Sequence, residues 1–367
     1  MAQVFKIHKG EVNIAVWGHP YSELEAGKES AADARAWLGR LREAGVTVYI
    51  PFVISGGRHY FESSVLGPPE RDLLGPVLEA GQSLGMEVHP IVGLGTVGVR
   101  GKDGGVYEPV DVYGRGEEIP EWAKDWPCAV WEENRTLTEE VAEDLMATYR
   151  PDGLHMDYIR YPNSIVLDAY PCGCPRCREE RVKWLGKELP DAEDLARPGV
   201  VYKEVQMRGR FVRNLVERLR GVTHKAGIPL SMAARARYLK DAVPEGQDWA
   251  EWARDGLVDI VTPMSYNPCF DRFQRFVSEH LPLLRDTGAT YWAGIGRRSS
   301  LGVIDAEMME RQIRYALDQG ADGVCLFHAA ALEKEDLGVL ASLQGKTEAE
   351  NPSLHGAAVW QPSGRKR

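Results

Sequence analysis

Short runs of Val, Ile, Leu, Tyr and Trp recur along the chain and alternate with longer stretches whose apolar positions fall three and four residues apart. The first pattern is that of buried strands and the second that of amphipathic helices, so the chain reads as repeated βα units. Strands are expected at VNIAVWG (12–18), VTVYIPFVI (46–54), MEVHPIVG (86–93), GLHMDYIR (153–160), PLSMAARA (229–236), VDIVTPMSY (258–266), TYWAGIG (290–296) and DGVCLFHA (322–329). Between them SAADARAWLGRLREAG, TLTEEVAEDLMATY and IDAEMMERQIRYALDQG carry Leu, Met, Ala and Trp at helical spacing, and two of them end on Gly. Repetition of this unit makes a single α/β domain, a (β/α)8 or TIM barrel, the economical architecture, because closure removes both sheet edges. A doubly wound open sheet is the alternative. On this reading residues 1–343 form the barrel and the polar stretch 344–367 is a tail. Long loops are expected after the third strand (about 94–134) and the fourth (about 162–200), where they would shape a cleft on one face.

The fourth strand carries unexpected chemistry. In RPDGLHMDYIRYP, Arg150–Pro162, alternation separates Leu154 and Met156 from His155 and Asp157, so the polar pair should face the barrel interior. Asp157 then sits near the carboxyl end of the strand, where barrel enzymes place their chemistry, with Tyr158, Arg160 and Tyr161 at the rim. A structural carboxylate paired with Arg160 is the plainer alternative. Other strand ends contribute Trp17, His19, His89, Arg235, Tyr266, Trp292 and His328 as candidate substrate-binding residues. Aromatic faces with neutral hydrogen-bonding groups suit sugar rings, although each of these residues alone suits a barrel layer equally well.

Four strings in order, DGLHMDYIRYP, DIVTPMSYN, YWAGIG and GVCLFHAAAL, resemble the family-10-like glycoside hydrolases over strands four to eight. The resemblance implies a carbohydrate-active TIM barrel with Asp157 as its principal catalytic carboxylate. Some relatives carry two adjacent acids where this chain has Asp157 followed by Tyr158, and YWAGIGRRSS holds no Glu. A glycosidase ordinarily uses two carboxylates, so a partner is sought among loop acids, Asp271 first and Glu62 second. The expected function is a glycoside hydrolase cleaving O-glycosyl bonds of an oligo- or polysaccharide. Two alternatives stand beside it: a carbohydrate-binding barrel without turnover, and a metal-dependent sugar lyase or isomerase with His19, His89 and His328 around a divalent ion.

Composition narrows the partners. A chain of 367 residues, 44% hydrophobic, can bury a large core, and a formal net charge of -10 argues against a nucleic-acid partner. No window has the apolar run of a membrane helix or a signal peptide; a cytoplasmic location is expected if the chain starts at its native start, and a secreted one if a leader was removed. A homo-oligomer is left open. Arg160, Arg235, Arg237, Arg297 and Arg298 fall at strand ends, which suggests an acidic or sulfated sugar, with ordinary ion pairs as the alternative.

Cysteine placement is uneven. CGCPRCREE gathers Cys172, Cys174 and Cys177, and Cys128 lies in the preceding long loop, so adjacent βα loops could bring four thiolates around a Zn2+ ion. The pattern is similar to the structural zinc cluster of family-42 β-galactosidases, and it implies a structural ion with no cofactor required for catalysis. A disulfide, free thiols or a Cys3His site are the alternatives. Cys325 reads as a small core residue, and Cys269 has no evident role.

Overall fold

The computed structural model describes residues 12–98, 104–114, 116, 125–162 and 171–344; the tail expected beyond residue 344 lies outside them. The fold is α/β. Its main sheet contains β1 (Asn13–Gly18), β2 (Val48–Pro51), β3 (Glu87–Val88), β4 (Ile91–Val92), β5 (Leu154–Met156), β6 (Leu230–Ala234), β7 (Ile260–Pro263), β8 (Thr290–Gly296) and β9 (Gly323–Phe327). All neighbours are parallel and the order is β3-β2-β1-β9-β8-β7-β6-β5-β4, a curled, TIM-barrel-like sheet.

Each expected strand has a counterpart, with one informative break. The run 86–93 is split at His89 and Pro90, because Pro90 has no N–H to continue the ladder. The backbone changes partner there: the His89 N–H donates to Tyr49 (3.0 Å), whereas the Pro90 carbonyl accepts from His155 (3.0 Å). Phe52 also bridges Ile91, so the first and last strands of the sheet order are two pieces of one run.

Both faces of the sheet are covered, as parallel sheets require. Ile14, Val16, Leu154, Met156, Val324 and Leu326 pack outward under the helices. The alternate residues Ala15, Trp17, Val48, Ile50, Ala233, Ile260, Trp292 and Cys325 form a second apolar cluster in the interior. Among the flanking helices are α1 (Pro20–Glu23), α2 (Ala31–Glu43), α3 (Leu74–Ser83), α4 (Leu94–Val97), α5 (Glu132–Tyr149), α6 (Pro175–Leu185), α7 (Ala192–Leu195), α8 (Pro198–Ala226), α9 (Trp249–Arg254), α10 (Phe270–Leu284), α11 (Ala306–Asp318) and α12 (Lys334–Gln344). Local sequence sets their starts. Ser30 and Asp33 form a reciprocal capping box on α2, and the Asp305 carboxylate accepts from the Met308 N–H at the start of α11.

Candidate active site

Strand β5 is three residues long, ending at Met156, and the chain turns sharply at once. Tyr158 adopts a left-handed conformation (φ 55°) that is unusual for a residue with a Cβ, which places Asp157 on the turn rather than within the strand. Helix α4 holds that turn. The Gly95 N–H donates to the Tyr158 carbonyl at 3.2 Å. Gly93 permits the approach, since a Cβ there would lie 1.6 Å from the Asp157 carbonyl oxygen.

The turn faces a cavity of about 2060 Å3 at the carboxyl ends of the strands. Trp17, Tyr266 and Phe327 meet at its floor: Tyr266 stacks on Phe327 (5.3 Å, 24°) and Trp17 stands edge-on to both. Trp126 forms a wall beside Tyr158, its indole N–H bonded to the Arg160 carbonyl at 3.1 Å.

Asp157 is 6% exposed, and its carboxylate accepts the Tyr158 N–H at 2.6 Å. Burial pushes its pKa up to about 6, although Arg160, the Tyr158 N–H and Arg235 all pull the other way. The same arginines are engaged by two further acids. Glu245, fully buried, lies 3.4 Å from Arg160 and 3.2 Å from Arg235, and Asp241 lies 3.6 Å from Arg235 and 2.7 Å from Arg237. Replacing Glu245 with Gln would free that positive charge to act on Asp157 and lower its pKa by on the order of one unit. A lower Asp157 pKa, together with a stability loss of about 3 kcal/mol from the broken buried pair, is the expected outcome in an NMR pH titration and a urea melt.

The remaining expected site residues divide by depth. His19, Tyr158, Arg160, Arg235 and Tyr266 line the cavity with Trp17 and Asp157. His155 faces the interior as alternation required, but it is a structural residue. Its Nε2 accepts from the Trp17 indole (3.1 Å), so Nδ1 carries the proton and donates to Ser231 (2.8 Å), and burial pushes its pKa well below the usual histidine value. His89, on the far side of Ser231, is likewise fully buried, with Nε2 3.2 Å from Glu87. Trp292 pairs with Gly323 at the start of β9, deep in the interior cluster, and does not line the cavity. Tyr161, expected beside Asp157, turns away to the cysteine cluster.

Neither proposed second carboxylate joins Asp157. Asp271 is an exposed acid in the first turn of α10, a position the helix dipole favours without any substrate. Glu62 is exposed, and its N–H donates to the Tyr149 hydroxyl at the end of α5, which leads into the amino end of β5. Arg297 is buried against Asp336 at 2.9 Å, and Arg298 lies on a small hairpin outside the lining. Together with the pairs of Arg160, Arg235 and Arg237, these positions favour ordinary ion pairing over recognition of an acidic sugar. Sequence reading passed over Glu245 and Asp241, which lie in a turn-rich segment with no strand or helix periodicity to mark them.

The four cysteines do meet. The Cys128 sulfur lies 3.5 Å from Cys177, 3.9 Å from Cys174 and 4.0 Å from Cys172. Tetrahedral thiolates at a zinc–sulfur distance near 2.3 Å stand about 3.8 Å apart, so the cage fits that ion. The Trp131 indole N–H and the Glu108 N–H each donate to a sulfur at 3.3 Å, the support a thiolate needs. Burial pushes the Cys128 thiol well up, while hydrogen bonds with its neighbours lower Cys174. The cluster ties the loop before α5 to the loop before α6, where Pro109 bridges Cys172, and so supports the wall carrying Trp126.

No protein-family model matches the chain, and no curated protein matches it. Solved structures do. The glycoside hydrolase domain of PgaB (BpsB) from Bordetella bronchiseptica superposes with a TM-score of 0.73 at 15% identity, covering 92% of this chain and 100% of that one. An α-L-fucosidase, isoenzyme 2, from Paenibacillus thiaminolyticus gives 0.59 at 15% identity over 91% of this chain and 49% of its own. A family 18 chitinase from Pseudoalteromonas aurantia gives 0.51 at 13% identity over 90% and 99%. At these identities the likeness is one of fold: the chain shares the barrel-like scaffold of these three glycosidases.

Proposed function

We propose that this chain is a glycoside hydrolase that binds an oligo- or polysaccharide in the cavity and uses Asp157 as its proton donor. The observation that carries the reading is a buried carboxyl with its pKa raised to about 6, set at a strand's carboxyl end in an aromatic cavity. A cavity of about 2060 Å3 exceeds the usual range of small-molecule pockets and suits several sugar units. On this reading β3 and β4 are one barrel strand and the sheet is a closed (β/α)8 barrel. The Cys128, Cys172, Cys174 and Cys177 cage holds a structural Zn2+ with no open position for substrate.

The surroundings of Asp157 also favour a particular chemistry. Of the acids lining the cavity, Asp125 and Glu279 are exposed and Asp241 is engaged by two arginines, which leaves Asp157 as the buried acid without an ion pair among the described residues. One acid suffices when the sugar supplies the nucleophile. Asp157 would protonate the glycosidic oxygen while the 2-acetamido oxygen of the sugar attacks the anomeric carbon and expels the leaving group. The resulting carboxylate would then take a proton from the water that opens the cyclic intermediate, restoring the acid. Hydrolysis of N-acetylhexosamine oligosaccharides without cleavage of their 2-hydroxy counterparts is the expected result of a reducing-end assay. Equal cleavage of both would instead require a second protein carboxylate, with Asp241 the first to test.

A further inference from the structure

Beside the Asp157 site, a second cluster of donor atoms sits where β1, α1 and the end of β9 converge. His19 follows β1, Glu23 closes α1, and His328 follows β9; one donor atom from each lies within 4.8 Å of the others. Three residues from separate segments meet here, and none of the three lies in the interior apolar cluster. His89, which sequence reading grouped with the two histidines, is replaced in the structure by Glu23.

The cluster has features of a ligand set rather than of filler. The His19 ring is fixed by stacking on Phe52 at 4.7 Å, and it stands edge-on to the His328 ring at 5.2 Å. The His328 Nδ1 is buried and makes no hydrogen bond among the described residues. A buried nitrogen without a partner has lost the water it would bind when exposed, a loss that a bound ion would make good. Glu23 is held in place by the His19 N–H at 2.8 Å and the Tyr49 hydroxyl at 2.5 Å, an outer set of hydrogen bonds like those that orient metal-binding carboxylates.

We propose that His19, Glu23 and His328 form a binding site for a divalent transition-metal ion, with Zn2+ as the natural probe. Two imidazoles and one carboxylate are the donor set of open zinc sites, which leave a position for water or a ligand oxygen. Tetrahedral ligands at such distances stand about 3.4 Å apart, so modest rotation of the rings closes the site. His19 and Phe327 line the main cavity, so the open position would be available to a hydroxyl or carboxylate of a bound sugar. This inference is independent of glycosidase activity, because its readout is metal content.

The experiment is equilibrium dialysis of the full chain against Zn2+, followed by metal analysis, for wild type and for a His19→Gln/His328→Gln variant whose folding is verified by circular dichroism. Wild type should bind one zinc more per chain than the variant, whatever the cysteine cage holds. A single His328→Gln variant provides a second reading: once the cysteine cage is filled, further Zn2+ should raise the melting temperature of wild type but not of the variant. Equal zinc content in wild type and the double variant, or a rise that persists in His328→Gln, would overturn the proposal.

Discussion

Asn in place of Asp157 is expected to abolish hydrolysis while making the protein more stable at neutral pH. The first effect follows from losing the proton donor, a contribution of roughly 10²–10⁴-fold even before its electrostatic role is counted. The second follows from burial. The folded state holds the Asp157 proton up to about pH 6, whereas an unfolded aspartate releases it near 3.8. Folding therefore binds a proton between those values, and stability falls as pH rises through the window. Above pH 6 the buried charge costs about 3 kcal/mol, an order-of-magnitude figure that Asn would recover while still accepting the Tyr158 N–H. Denaturant melts of both proteins should diverge between pH 4 and 6 and stay apart above it. If Asp157 were a structural carboxylate, the Asn variant would be less stable at pH 7 and still active.

The second large effect concerns the cysteine cage. Zinc analysis of protein purified without added metal should find zinc at the cage, and Cys128→Ser should lower the melting temperature by roughly 10 °C, as loss of several kcal/mol does in a chain of this size. Activity should fall along with stability, because Trp126 and its neighbours are held against Arg160 and Tyr158 from the segment the cage anchors. A zinc-free protein with an unshifted melt for Cys128→Ser would show that the thiols pack simply as a core.

Hydrophobic alternation made the scaffold legible, because a parallel sheet buried on both faces repeats the same short apolar run at each strand. It also placed Asp157 at the mouth of the sheet, since a carboxylate inside such a run has few other places to go. The rest resisted reading for identifiable reasons. His89, His155 and Trp292 share the interior face with site residues, and period alone does not report depth along a strand; their hydrogen bonds and packing place them below the cavity. Glu245 acts through contacts with arginines 10 and 85 positions away in the chain, a pairing set by the fold. The turn at Tyr158 cut the fourth strand short because α4 pulls its backbone aside, a constraint that only Gly93 betrays.

In the proposed mechanism a buried, protonated Asp157 drives glycosidic cleavage. The most direct test of this mechanism is the rate of reducing-end release from N-acetylated oligosaccharides by the wild-type protein across pH from about 4 to about 9. The mechanism predicts a rate that falls tenfold per unit above a pH of about 6, where Asp157 loses its proton. A rate that is flat through that region, or no release at any pH, would contradict it.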